Sequence, residues 1–343
     1  MSEVRLKDIA EKAGVSIMTV SNVINGKHDR VSAKTIAKVN ALIEEYGYVP
    51  NLSARSLTNK ISHIIGIIIS PFNKEEAECN YLENPYISTL LGTIEEELRK
   101  KGYFTMLRSV TEKSDIISLI KNWSVDGIIF LYPEAPEYIQ SFIDIAQCPI
   151  AIFDADLRIP DLINVSSDDW HGLYLSTRYM ISHGHSHIAF VANHESNPLL
   201  TRRFKGYLSA LEECSIPFRE EYIFSYPPTY EGGVKAGKEI ALSRNEITAA
   251  VTTADICAIG VMEGARLGGY RVPVDLSVIG YDNLPLCNYT TPKLTSISQD
   301  LTRKALQCTR LLLEKIKTGT TSTPSKIIMG VELVERQSVI SLF

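Results

Sequence analysis

From Ile64 onward the chain alternates apolar runs of strand length with stretches of helical periodicity, and few folds accommodate that rhythm. The runs fall at residues 64–70, 103–110, 127–132, 149–154, 187–193, 249–253 and 277–281, with helical stretches between them, among others 86–101, 169–182, 199–213 and 300–317. Runs that are apolar at nearly every position belong to strands covered on both faces, which is the pattern of parallel sheets flanked by helices. The fold class is therefore α/β. A body of this length, broken near Asn164, is large enough for two lobes with a cleft between them. The longest uncharged apolar run, residues 64–72, is far short of the roughly 20 residues that a membrane span needs. With 45% apolar and 22% charged residues, the chain also has the composition of a folded protein and not of a disordered one.

Residues 1–60 read differently. They hold nine Lys and Arg against six Asp and Glu, whereas the rest carries twenty-six against thirty-four. A basic head on an acidic body points the head towards a polyanion. Leu6, Ile9, Ala10 and Ala13 lie on one helical face, and Gly14 stops that helix. Ser16 caps a second helix whose inward residues are Val20, Val23 and Ile24, and Asn25-Gly26 ends it. Ser32 caps a third, with Ile36, Val39, Ile43 and Tyr46 inward, Gly47 at its C-cap and Pro50 forbidding continuation. The first two helices, joined by a tight turn, form a helix-turn-helix whose second helix fits the major groove of DNA. Met18 and Asn22 face outward on it, and Thr19 and Ser21 flank them, where short hydroxyls reach phosphates. Ser16, Ile17 and Asn25 complete the candidate DNA-contacting set. Residues 51–60 are too few to hold a helix alone and read as a conditional one.

Three motifs resemble catalytic or metal sites, and each has a plainer reading. Gly232-Gly233-Val234-Lys235-Ala236-Gly237-Lys238-Glu239 nearly spells a phosphate loop, but Glu239 stands where Ser or Thr must hold magnesium. Gly184-His185-Ser186-His187 lacks the last glycine of a nucleophile elbow and reads as a helix C-cap before a strand. His183, His185 and His187 alternate without a further metal-ligand signature, and the six cysteines are scattered with no CxxC pair. No cofactor, no metal and no enzymatic activity are expected. The charged amino terminus has no apolar signal region, so the protein is expected in the cytoplasm with its thiols reduced.

The head motifs, from Leu6-Lys7-Asp8-Ile9-Ala10 through Gly14-Val15-Ser16 and Thr19-Val20-Ser21-Asn22-Val23-Ile24-Asn25-Gly26, resemble the LacI/GalR family of transcriptional repressors. So do Tyr46-Gly47-Tyr48-Val49-Pro50-Asn51 and Ala54-Arg55-Ser56-Leu57, and weaker matches continue through Arg203-Phe204-Lys205-Gly206-Tyr207, Val278-Ile279-Gly280-Tyr281-Asp282-Asn283 and Glu332-Leu333-Val334-Glu335-Arg336. The resemblance implies a DNA-binding head at 1–50, a hinge at 51–61 and a periplasmic-binding-protein-like body at 62–343 that the chain crosses three times. It places the first lobe at about 62–163 and 296–326, and the second at about 164–292 and 327–343. It also implies a homodimeric repressor that reads a near-palindromic operator, with Ala54, Arg55 and Leu57 in the minor groove and Leu57 as the wedge. The end of the chain at Phe343 leaves no room for a leucine-heptad tail, so a dimer is expected, not a tetramer. Two positions depart from the family: Met18, often Ala, and Asn22, often Arg, so the half-site should differ from the commonest pattern. Thr58 also stands where a basic residue is frequent.

For the body, the expected ligand is a small metabolite, most readily a sugar or sugar derivative, held between the lobes. Asp154 and Asp282 each end a strand, where α/β sheets present ligand-contacting groups. The family resemblance adds Arg203, whose planar fork suits hydroxyls or a carboxylate; pairing with a neighbouring carboxylate is its structural alternative. Phe72 and Tyr226 are candidate stacking platforms or plain packing. Ala254 stands where relatives often carry Asn, which argues against a standard hexose. The acidic loop 72–85, with Glu75, Glu76, Glu78 and Glu83, is either a lid or a solvated face. The competing function class is a cytoplasmic enzyme or solute-binding protein on the same two-lobed fold.

Overall fold

The computed structural model describes residues 4–24, 28–48, 61–69, 81–110, 113–122, 124–131, 142–155, 159–195, 197–243, 246–322 and 324–343. They form two compact units, Met1–His63 and Ile64–Phe343.

The first unit holds three helices, α1 (Leu6–Ala13), α2 (Ile17–Ile24) and α3 (Ala33–Glu45). Gly14 ends α1 in the left-handed region at φ 69°, a conformation that glycine adopts without a Cβ penalty. The Ser16 hydroxyl accepts from Thr19 N at 3.1 Å, and Ser32 does the same for Thr35 N at 3.2 Å, so each helix starts where an orphan N–H finds a cap. Ile9, Ala10, Ala13, Val20, Val23 and Val39 make the core of this unit. Asn25 and Gly26, the expected stop of α2, and Pro50 lie outside the described residues.

The second unit contains two six-stranded sheets. In the first, β1 (Ile64–Ile69) lies between the edge strand β2 (Phe104–Ser109) and β3 (Gly127–Leu131), followed by β4 (Ile150–Phe153), β5 (Ile163–Ser167) and β11 (Lys326–Met329), in the order β11-β5-β4-β3-β1-β2. The second holds β6 (Ile188–Val191), β7 (Ile223–Phe224), β8 (Ala249–Thr252), β9 (Ser277–Asp282), β10 (Thr295–Ser298) and β12 (Glu332–Val334), in the order β12-β10-β9-β8-β6-β7. The strand pairs are parallel except β10 with β12. The apolar run of β1 is explained by its two coats: Ile65, Ile67 and Ile69 enter one cluster and Ile68 the opposite one. Helices α4 (Pro85–Lys100) and α10 (Leu301–Thr318) cover the first face. Helix α5 (Lys113–Asn122) supplies Ile116 and Ile120 to the other.

The second sheet is coated by α6 (Asp169–Ser182) and α7 (Pro198–Glu213) on one face and by α8 (Tyr230–Leu242) and α9 (Asp255–Leu267) on the other. The phosphate-loop look-alike is the first part of α8. Its glycines meet the backbone of α9: a Cβ on Gly233 would fall within 3.0 Å of the Cys257 carbonyl, and one on Gly237 would meet Val261. Gly260 and Gly264 of α9 face Tyr230 and Val234 of α8 in the same way. These glycines therefore serve close helix contact.

The chain passes between the sheets three times, after β5, after β10 and between β11 and β12. The crossings come slightly later than the breaks read from sequence at 163/164, 292/296 and 326/327. Strand β5 stays wholly in the first sheet, β10 in the second and β11 in the first. The polar side chains of β5 and β10 hid their membership, because Asn164, Ser166, Ser167, Ser296 and Ser298 are buried despite being polar. Adjacent crossings are tied by Asp168 N donating to Met329 O at 2.9 Å. Leu284, from the loop after β9, packs into the core of the first lobe and joins the two halves by apolar contact.

Candidate functional site

In the first unit the amino-terminal end of α2 presents a mixed surface. Ile17 is 48% exposed and Met18 70%, whereas Val20 and Val23 are buried. Large apolar side chains left in water on a short helix are open to contact thymine methyl groups in a groove. Ser16 and Thr19 pair their hydroxyls at 2.9 Å, Ser16 exposed and Thr19 half-buried, and Ser21 and Asn22 are half-buried. Asn22 is thus less outward than helical projection implies. Asn25, Ala54, Arg55 and Leu57 lie outside the described residues.

In the second unit, Asp154 and Asp282 stand at the carboxyl ends of β4 and β9, one in each lobe. Both hold positive φ, 56° and 114°, and Asn283 follows at 55°. Non-glycine residues in that region carry backbone strain that surrounding structure must sustain, and such residues cluster at functional sites. The sustaining groups are in view. Lys304 of α10, completely buried, donates to Asp154 Oδ1 at 2.6 Å and Oδ2 at 2.7 Å, and Tyr86 OH donates to Oδ2 at 2.6 Å. Burial alone would push the Asp154 carboxyl up, but Lys304 and these hydrogen bonds outweigh it and hold the group below the usual carboxylate range. In the second lobe, Gln299 Nε2 donates to Asp282 Oδ1 at 2.5 Å. Burial, with Asp255 nearby as a second negative charge, raises the Asp282 carboxyl well above its ordinary value. A protonated Asp282 is a hydrogen-bond donor as well as an acceptor.

Arg203 has the partner that its structural alternative anticipated. Its Nε donates to Asp169 Oδ1 at 3.0 Å, its Nη1 to the Thr253 carbonyl at 2.5 Å, and its guanidinium stacks 3.6 Å from the Tyr281 ring centroid. Burial acts to lower the Arg203 pKa, yet Tyr281, Asp169 and Asp282 together hold it above its already high value. Arg202 also reaches Asp169, at 3.1 Å, and touches the Asp154 carbonyl at 3.4 Å. The hydroxyls of Thr253 and Tyr281 are buried beside this pair without a partner among the described residues. The Tyr281 hydroxyl lies against Gly172 of α6 inside the lobe, which leaves the Thr253 hydroxyl as the orphaned group that a polar ligand would satisfy.

The structure brings Asp154, Arg203 and Asp282 into one polar layer between the lobes. It does not bring Tyr226 there. The Tyr226 hydroxyl donates to Glu239, and its carbonyl accepts from Asn193 N at 2.9 Å. Phe72 and most of the acidic loop lie outside the described residues, whereas Glu83 sits in a short 3-10 turn before α4. Sequence reasoning missed Asp169, Gln299, Tyr86 and Lys304. One signal was available for Lys304: it shares the inward stripe of α10 with Leu301, Ala305 and Cys308. The three alternating histidines go to separate partners, His183 to the Tyr179 carbonyl, His185 to Thr248 and the Ile340 carbonyl, and His187 to Tyr222.

Comparison with known proteins adds a line of evidence to this geometry. Residues 5–51 match the bacterial regulatory proteins of the lacI family, and residues 177–339 match a periplasmic binding protein-like domain. The chain is 33% identical over 340 residues to the HTH-type transcriptional repressor PurR of Yersinia pestis bv. Antiqua, covering 97% of this chain and 96% of that protein. Among solved structures, the Lac repressor dimer bound to operator and the anti-inducer ONPF matches with a TM-score of 0.84 at 26% identity, over 99% of this chain and 100% of that one. The complex of the transcriptional regulator CelR with cellobiose matches with a TM-score of 0.72 at 26% identity, over 98% and 99%. The helix-turn-helix head, the two-lobed body and this end-to-end similarity lead to one conclusion: the chain belongs to the lacI family of bacterial regulatory proteins.

Proposed function

We propose that this protein is a ligand-responsive transcriptional repressor that acts in the cytoplasm as a homodimer on a near-palindromic operator. The observation that carries this reading is the exposed amino-terminal end of α2, where Ile17 and Met18 stand in water on a helix-turn-helix. In this reading Met18 and Ile17 make apolar contact with thymine methyl groups, Asn22 favours adenine N6/N7, and the Ser16, Thr19 and Ser21 hydroxyls reach phosphates. Asn25, Ala54, Arg55 and Leu57 complete the DNA contact, with the hinge at 51–61 ordering as the dimer seats on DNA. The dimeric state and the operator follow the Lac repressor complex, and the enzyme or solute-binding alternative is not favoured, because its relatives over the full length are regulators.

The effector binds between the lobes against Asp154, Arg203 and Asp282, and the unpartnered Thr253 hydroxyl beside Arg203 supports this position. A sugar or sugar derivative fits a layer rich in carboxyl, guanidinium and hydroxyl groups, and the structurally similar regulator CelR forms a complex with cellobiose. Phe72 is retained as a candidate stacking group. Tyr226 is the weakest of the set, since its hydroxyl is engaged by Glu239.

The test is selection of bound duplexes from a random pool with the full-length protein, followed by a salt titration. Enrichment of a palindrome, with affinity falling steeply with salt, is the expected result. Enrichment of no sequence would overturn the reading.

A further inference from the structure

Lys304 does more than neutralise Asp154. Its ammonium also donates to Gln299 Oε1 at 2.9 Å and to Ser167 Oγ at 3.1 Å, and the Ser167 hydroxyl donates to the same Gln299 oxygen at 2.8 Å. With its carbonyl oxygen held by these two donors, the Gln299 amide has one way to point its NH2 group, towards Asp282. These partners belong to different lobes. Asp154 and Ser167 end β4 and β5 of the first sheet, Gln299 follows β10 of the second, and Asp282 ends β9 of the second. A single buried charge therefore stands where the first and second crossings pass each other. We propose that Lys304 is the positioning residue that ties the two lobes together, through Gln299 to Asp282.

This inference rests on the reading that the space between the lobes is the regulatory site, but its test needs no effector. A Lys304 that served only the first lobe would be satisfied by Asp154, Tyr86 and Ser167. The arm through Gln299 is what reaches the second lobe, and in a site this buried each of its hydrogen bonds gains from the low dielectric. Leu284, packed into the core of the first lobe, lies on the same loop as Asp282, so the polar tie and the apolar contact hold the same segment. An effector that engages Asp282 or Gln299 must work against this tie or take its place.

The experiment compares backbone hydrogen exchange in the full-length protein and two variants. Gln299→Met removes the arm and leaves the Lys304–Asp154 pair intact. The double variant Asp154→Leu/Lys304→Met removes both charges together, which avoids stranding a buried carboxylate. Exchange at the crossings, around residues 166–169, 298–300 and 329–331, is expected to rise about ten-fold in both variants, as for the loss of a hydrogen bond to a charged group. Exchange in β1 and β8 serves as the internal reference and should not change. Wild-type exchange at the crossings in Gln299→Met overturns the inference, whether or not the double variant folds. Loss of protection throughout the body in Gln299→Met overturns it as well, since the residue would then support the core and not the tie. Operator selection, run separately, reports on the regulatory reading itself.

Discussion

Gly233→Ala inverts the usual expectation for a helix interior. Replacing glycine by alanine in an exposed helix gains about 1 kcal/mol, because alanine gives up less backbone entropy. At Gly233 the new Cβ would sit within 3.0 Å of the Cys257 carbonyl and of Val261 N, both backbone atoms that cannot turn aside. Helices α8 and α9 would have to separate, and overpacking of this kind costs about 1–3 kcal/mol, occasionally more. The contact is matched by Gly237, Gly260 and Gly264 along the same seam, so no neighbouring gap can absorb the shift. Because the clash is with backbone, the upper part of that cost, about 2–3 kcal/mol, applies, and the net expectation is a loss of about 1–2 kcal/mol, which for a body of this size lowers Tm by roughly 2–3 °C. Gly92, exposed in α4 with nothing within 4 Å of a built Cβ, is the control, and Gly92→Ala should raise Tm slightly. Thermal melts of the two variants followed by circular dichroism decide the matter. If Gly233→Ala shifts Tm upward as Gly92→Ala does, the seam is not packed backbone to backbone and the explanation of this glycine run fails.

Arg203→Met strips the buried Asp169 of its closest cation, and breaking a buried pair costs about 3–5 kcal/mol, so urea unfolding should show a marked loss of stability before any effect on ligand is read. An unchanged midpoint would mean that Arg202 alone satisfies Asp169. Burial pushes the Asp255 carboxyl up to about 6, so the native state holds its proton more tightly than the unfolded chain does. The stability this contributes is fully present below the unfolded value near 3.8 and is lost as pH rises through about 6; Asp255→Asn should flatten the pH dependence across that window, and an identical slope in the variant would contradict the assignment. Asn22→Arg should move the preferred base at one half-site position from adenine towards guanine in duplex selection, and an unchanged consensus would place Asn22 off the bases.

Most strands of the body were legible because both coats of each sheet demand apolar side chains, whereas β5 and β10, whose buried side chains are largely polar, gave no apolar run. The head was legible for a different reason: Ser16, Ser32 and Gly14 punctuate helices through local chemistry that needs no distant partner. Asp154 and Asp282 could be picked out by their place at strand ends. What could not be read was their company. Lys304 lies 150 residues from Asp154 in sequence, and Arg203 lies 34 from Asp169, so each pair exists only after the lobes have formed. Arg203 was read as a ligand-facing group from the family resemblance, and no carboxylate three or four residues away on its own helix pointed to the pairing with Asp169. Tyr226 shows the opposite limit, an aromatic near a strand end whose hydroxyl turns to Glu239 on α8.

The order of strands carries a mechanical consequence. Strands β5 and β11 close one end of the first sheet, and β10 and β12 the same end of the second, so all three crossings gather along one border. Strand β2 is five places away, roughly 24 Å at the usual strand spacing. A rotation of about 10° around the crossings would carry β2 through roughly 4 Å. The body is in this sense a lever with its fulcrum beside Lys304: ångström-scale adjustments near Gln299 grow with distance, and the outermost strand, whose side chains are exposed from Phe104 to Ser109, travels furthest.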